Sequence, residues 1–378
     1  MTELSPLQSE IRKLIQSSGP MPVWRYMELC LMHPEHGYYV SRDPLGREGD
    51  FTTAPEVSQM FGELIGLWAA SVWKTIGSPS VLRLIELGPG RGTLMADALR
   101  ALRVLPPMYQ ALSVHLVEIN PVLREKQRAN LSGVRNIAWH DNIDDVPDGP
   151  AVIIANEYFD VLPIHQAIRR ETGWHERTVE IDDNGKMVFG AAAEPTPRFE
   201  VLLPPLVRAA PVGAVFEWRP DAEIMKLASR VRDQDGAALI IDYGHLRSDA
   251  GDTFQAIARH SFTDPLKNPG EADITAHVDF QALVRAAEDL GARVHGPVTQ
   301  GEFLKRLGIE TRAVGLMAKA SHEVSEDISG ALKRLIGAGR GGMGSMFKVL
   351  AISEPNLTAL AGFSDDQEPT DEDETDDA

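Results

Sequence analysis

At 378 residues, with 43% apolar and 24% charged residues, the chain has a globular make-up and ample length for a large core, as one α/β domain with insertions or as two domains. That composition excludes a wholly disordered or fibrous protein, and the single cysteine, Cys30, excludes an internal disulfide and a four-thiolate zinc site. The net charge of −18 argues against a broad nucleic-acid surface, and half of it lies in residues 364–378 (SDDQEPTDEDETDDA), which hold nine acids and no base.

In chain order, Leu4, Leu7, Ile11, Leu14 and Ile15 have helical spacing and predict an opening helix over 4–16. Gly37–Pro55 is rich in Gly, Pro, Asp and Thr and is expected to be a long loop, followed by a helix over Val57–Lys74. Residues 1–75 thus form an expected N-terminal helical and loop cap. Beyond it, short apolar runs at Val81–Leu87, Val114–Val117, Ala151–Ala155 and Ala238–Ile241 are expected as buried parallel strands. They alternate with helical patterns at Thr93–Arg103, Pro121–Asn130 and Pro220–Asp233. This alternation predicts an α/β fold with a doubly wound, mostly parallel sheet over 76–355. Two insertions interrupt it: about 166–210, with a hairpin at Asp183–Asn184–Gly185, and about 245–276, rich in loops. Met346–Ser353 is expected as a last strand entering from a hairpin-like connection, and 362–378 as a disordered acidic tail.

Chemistry concentrates where these strands end. The first delivers Glu86 and then the turn Gly88, Gly90, Gly92, where glycine lets a ligand approach the backbone closely. A dinucleotide turn would want glycine where Thr93 stands, and an acid before the turn repels a pyrophosphate. S-adenosylmethionine, which carries an ammonium and a sulfonium, suits Glu86 better. Glu118 ends the second strand and can accept from both ribose hydroxyls; Asp141 and Asn142 follow the third, where Asp141 can accept from the adenine amine or cap a helix. The fourth strand ends in Asn156–Glu157–Tyr158–Phe159–Asp160. Asn156 falls at the cofactor, while Glu157 and Asp160, three apart, suit recognition of a guanidinium or the capping of a helix. Asp242 ends the fifth strand on the same catalytic edge.

The strings GDFTTAPEVSQMFGELIG, LIELGPGRGTL, ANEYFDVLPIHQ, ALIIDYGH, GEADITAHVDF and MGSMFKVLAIS closely resemble the MidA-type family, over about Leu4 to Ser353. The resemblance implies a class I, Rossmann-like methyltransferase fold with S-adenosylmethionine as cofactor. It also implies a protein acceptor, an arginine of a respiratory complex I core subunit in the mitochondrial members. The donor site would then be Glu86, Gly88, Gly90, Gly92, Glu118 and the Asp141 region, and the acceptor side Glu157 and Asp160. The acidic tail is no part of the family pattern.

Two other classes stay open at this stage: a nicotinamide-dependent oxidoreductase and a non-catalytic assembly factor that retains the donor pocket. His33, His36 and His277–Val278–Asp279 lack a third ligand nearby, so no metal is expected, and His260 and His277 are candidates for acceptor binding. The N-terminus shows neither a signal-peptide core nor a transit-peptide composition, and no run of about 18 apolar residues occurs, so the expected setting is the cytoplasm without membrane insertion.

Overall fold

The fold is described from a computed structural model, in which residues 4–41, 53–258, 261–339 and 341–363 are described. The main sheet is built from β1 (Leu82–Leu87), β2 (Leu112–Val117), β3 (Ile137–His140), β4 (Ala151–Asn156), β5 (Gly236–His245), β6 (Arg293–Thr299) and β7 (Phe347–Ser353). Their order across the sheet is β3-β2-β1-β4-β5-β7-β6, with β7 antiparallel to both neighbours and the ladders from β3 to β5 parallel. The order reverses between β1 and β4, so the carboxyl ends of these strands open onto the crevice where such sheets bind ligands.

Successive residues of each strand face opposite sides of the sheet, and both sides are buried. Leu84, Val152, Ile154, Leu239 and Ile241 pack with the helix Gln59–Thr75, which inserts Phe61 and Trp68, and with the helix Thr93–Leu102. Ile85, Ile153, Ala155, Ile240 and Leu350 pack with the helices Ala222–Gln234 and Phe280–Asp289. Burial of each large side chain contributes roughly 1.5–3 kcal/mol, so the two helical layers hold the strand ends in fixed register.

A second, antiparallel sheet contains His165–Arg170, Gly173–Ile181, Met187–Ala191 and Val215–Trp218, joined at its edge by Met21–Pro22. The expected hairpin is present, with Gly185 at φ 74°. This sheet extends past residue 210, because Val215–Trp218 returns to pair with His165–Ile168.

Four expectations are corrected. Residues 1–75 do not form one cap: the helices Pro6–Ser18 and Val23–Met32 pack on the second sheet, whereas Gln59–Thr75 belongs to the main core. Within 245–276 lies a three-stranded sheet of Gln255–Ala258, Ser261–Thr263 and Asp273–Thr275, whose strands of three or four residues are too short to show a period. Among the described residues three helices, and no hairpin, stand between β6 and β7. The tail does not begin at 362, because Phe363 packs against Phe303; residues 364–378 lie outside the described residues, as do 42–52 of the expected loop and His260. Among the described residues no helix is long and apolar enough to cross a membrane.

Candidate active site

β1 hands the chain to the turn Gly88–Pro89–Gly90–Arg91–Gly92. Gly88 (φ 58°) and Gly90 (φ 54°) hold left-handed backbone, and a Cβ on Gly88 would come to 3.1 Å from the Tyr158 ring. Glu86 is buried beneath the turn. Its carboxylate takes the Met95 amide, and its Oε2 has no hydrogen-bond partner among the described residues. Burial pushes its pKa up to about 8.

At the end of β2, Glu118 Oε1 accepts the Asn120 amide at 2.8 Å, and Oε2 accepts Gln127 Nε2 at 3.3 Å. Burial raises its pKa, and the Asn120 amide opposes that rise. Gln127 also donates to the Gly90 carbonyl at 2.7 Å and accepts from Trp139 Nε1 at 2.8 Å, so one buried amide ties the turn to the ends of β2 and β3. It sits four residues after Leu123 on the buried face of its helix, the only sign of it in the sequence. Asp141 is exposed and pairs with Arg124 at 2.5 Å.

β4 ends at Asn156, and Glu157 follows at φ 51°, a strained backbone for a non-glycine residue. Glu157 Oε1 accepts the Ala54 amide at 3.2 Å and Asn156 Nδ2 at 3.3 Å. Burial and the neighbouring Asp160 push its pKa up to about 7. Asp160 is buried with Oδ1 unpartnered among the described residues; burial lifts its pKa to about 6 against the pull of the Tyr243 hydroxyl and of Arg219. The Arg219 guanidinium donates to the carbonyls of Asp160 (2.9 Å), Leu162 (3.2 Å), Ala276 (2.6 Å) and His277 (2.7 Å), which joins the turn after β4 to the segment after Asp273–Thr275. Tyr39 Oη donates to Asp273 Oδ1 at 2.8 Å.

One cavity of about 230 Å³ joins the two halves. It is lined by Glu86, Gly88, Gly90, Glu118 and Asp141 from the donor half and by Asn156, Glu157 and Asp160 from the other, together with Tyr39 and Asp273, which sequence reasoning missed. Arg91 is the basic residue among the described residues on its wall. The short helix Ala54–Val57 reaches both halves, because Thr93 Oγ1 donates to Glu56 Oε1 at 2.6 Å while Ala54 holds Glu157.

Three expected residues lie elsewhere. Gly92, at φ 78°, caps the helix Thr93–Leu102 and faces Leu131 and Gln127. Asn142 accepts the Asp144 amide and caps a single 3₁₀ turn, so its side chain is spent locally. Asp242 does not line the cavity: it is fully buried and accepts the amides of Phe159 (3.0 Å), Asp160 (3.2 Å) and Tyr243 (2.9 Å), a brace for the turn after β4. His33 Nδ1 accepts the amides of Glu35 and His36, and the His277 ring meets Tyr243 edge-on. Among the described residues there is no group of three or more metal-binding side chains.

The unpartnered buried oxygens of Asn156 and Asp160 are acceptors on this cavity, and Glu86 becomes one when a cation draws off its proton, so the cavity favours a cationic, donor-rich ligand. The glycine turn and the paired oxygens of Glu118 fit the amino-acid and ribose ends of S-adenosylmethionine.

Comparison with known proteins agrees. Residues 64–298 match the family described as "Putative S-adenosyl-L-methionine-dependent methyltransferase". The chain is 37% identical to the mitochondrial protein arginine methyltransferase NDUFAF7 homolog of Drosophila melanogaster, covering 95% of this chain and 88% of that protein. It is 35% identical to the Homo sapiens protein arginine methyltransferase NDUFAF7, covering 96% and 90%. A Burkholderia thailandensis crystal structure bound to S-adenosyl-homocysteine superposes with a TM-score of 0.81 at 30% identity, covering 95% of this chain and 94% of that one. The donor is therefore S-adenosylmethionine rather than a nicotinamide, on a class I methyltransferase fold. The chain belongs to the NDUFAF7/MidA family of S-adenosylmethionine-dependent methyltransferases.

Proposed function

We propose that the chain methylates an arginine side chain of a protein acceptor and, as the family resemblance implies, that this acceptor is a core subunit of respiratory complex I. The observation that carries the reading is the acid-lined inner end of the cavity, where Asp160 keeps an unpartnered oxygen beside Glu157. A guanidinium stays protonated in water and presents a planar fork of donors, which two carboxylates match. The relatives named protein arginine methyltransferase support the same choice.

When bound, the donor supplies a methyl on a sulfonium. Glu86 faces positive charge at the glycine turn, and Glu118, held by Asn120 and Gln127, offers its oxygens to the ribose. Glu157 and Asp160 orient the acceptor and take the proton that it releases. Asp242 and Arg219 keep the turn that carries them in place. Most of the acceleration then comes from positioning, which reaches roughly 7–11 kcal/mol in the best intramolecular cases. The test is incubation of the wild-type protein with labelled S-adenosylmethionine and cell lysate, followed by mass mapping. An arginine mark supports the reading, and a mark confined to another residue type refutes it.

A further inference from the structure

Asn156 is the last residue of β4, 9% exposed, and it lines the cavity. Its Nδ2 donates to Glu157 Oε1 at 3.3 Å, while its Oδ1 has no hydrogen-bond partner among the described residues. That same Oε1 already accepts the Ala54 amide at 3.2 Å, so it meets Asn156 as an acceptor, and the opposite amide orientation would set oxygen against oxygen. Glu157 thus selects the orientation that leaves Oδ1 unengaged. A buried amide oxygen left without a donor is unfavourable, and a ligand that brings an N–H removes the penalty.

The register says which ligand. The ladder between β1, the donor strand, and β4 stops at Leu87 opposite Ala155. The ladder between β5 and β4 runs one residue further, to Ile241 opposite Asn156, and the Glu157 amide donates to the Ile241 carbonyl at 2.9 Å. Asn156 therefore stands just past the donor strand and is still held by the strand that braces the acceptor acids.

We propose that Asn156 is a catalytic residue of the acceptor side, whose Oδ1 accepts an N–H of the nitrogen that receives the methyl and turns that nitrogen's π face toward the donor. The inference rests on the protein-nitrogen acceptor proposed above and adds the group that orients it. One N–H of the terminal nitrogen goes to Asn156 and the other to Glu157. As the nitrogen–carbon bond forms, the carbon–sulfur bond breaks and sulfur keeps its electron pair as a neutral thioether. The nitrogen sheds one proton to the Glu157 carboxylate. Asn156 takes no proton and holds its hydrogen bond throughout.

The competing assignment gives Oδ1 to the ammonium of the donor. S-adenosylhomocysteine carries the same ammonium and no transferable methyl, so the two separate cleanly. Full-length wild type, Asn156→Ala and the isosteric Asn156→Asp are titrated with S-adenosylhomocysteine by calorimetry. Transfer from labelled S-adenosylmethionine to lysate proteins is then followed at saturating donor, with the marked residue mapped. The expected result for Asn156→Ala is an affinity within about twofold of wild type, which also shows an intact fold, and a rate lower by about 100-fold. Asn156→Asp should displace the acid limb of the rate–pH profile upward, because a second carboxylate beside Glu157 makes Glu157 harder to ionise; lost packing would not do this. A tenfold or greater loss of S-adenosylhomocysteine affinity by folded Asn156→Ala, or unchanged transfer, overturns the proposal. If Asn156→Ala does not fold, an unmoved acid limb in Asn156→Asp overturns it. Wild-type marking of a non-arginine nitrogen refutes the arginine reading and leaves Asn156 in its role. Marking of oxygen or carbon, or no transfer at all, overturns both.

Discussion

Replacing Glu118 by alanine removes a buried carboxylate that already receives internal donors, among them the Asn120 amide at 2.8 Å and the Gln127 side chain at 3.3 Å. Those donors fix both oxygens, so the remaining lone pairs meet the ribose without further ordering. A hydrogen bond to a charged group contributes about 1.5–3 kcal/mol net, which sets the loss of S-adenosylhomocysteine affinity at roughly 10- to 150-fold. The same substitution strands the Asn120 amide, at a cost of up to about 1–3 kcal/mol where water is excluded, while Gln127 keeps its bonds to Gly90 and Trp139, so the melting temperature of the ligand-free protein should fall too. Glu118→Gln retains one acceptor oxygen and should lie between alanine and wild type in both measurements. The assay is calorimetric titration with S-adenosylhomocysteine well below the lowest melting point of the three proteins. An alanine variant that binds within about twofold of wild type would show that Glu118 braces the loop and never meets the ligand.

Glu157→Gln should leave S-adenosylhomocysteine affinity nearly unchanged and lower single-turnover transfer by about 100-fold, with Asp160→Asn similar and the double variant losing less than the sum; near-normal transfer by Glu157→Gln would leave it a structural link to Ala54. With Asp160 at about 6 and Glu157 at about 7, transfer should fall as pH drops through that range, because both acids then carry protons; a flat profile from 5.5 to 8 counts against them. Glu86 is raised from 4.5 to about 8, so between these values the unfolded chain has released a proton that the folded one keeps, and ligand-free stability should fall as pH rises through that window. A cationic donor reverses the bias, so binding at pH 7 should release a proton, seen as buffer-dependent calorimetric heats that vanish in Glu86→Gln. Asp242→Ala strands three buried amides and should lower stability by several kcal/mol in chemical denaturation, at about 1–3 kcal/mol each. A chain ending at Phe363 should melt like the full protein, whereas one ending at Glu354 loses the buried Leu357 and Leu360 and should melt measurably lower.

The parallel strands and the glycine turn were legible because burial on both faces writes continuous apolar runs, and because a turn needing left-handed backbone writes glycine. The residues that complete the site wrote no such signal. Arg219 acts through four carbonyls that are close only after folding, Asp273 arrives on a three-residue strand, and Gln127 is a single polar residue on a helix. Asp242 and Asn142 carried the right residue type at a strand end, yet unpaired backbone amides nearby claimed their side chains first. Sequence position gives a residue's neighbourhood on the sheet; whether its side chain faces ligand or backbone is settled by which donors have no other partner.

The early helices have a consequence for synthesis. Leu7, Ile11, Tyr26 and Met27 are made well before apolar partners that cover them, which include Val179, Met187, Phe254 and Ile274, and Met21 pairs with Val179 across the sheet edge. At roughly 5–20 residues per second, the ribosome needs on the order of 10–50 s to supply those partners. Throughout that interval the amino-terminal helices expose their apolar faces. Chaperone occupancy during translation should therefore begin once these helices emerge and end only once the segment around Ile274 has emerged.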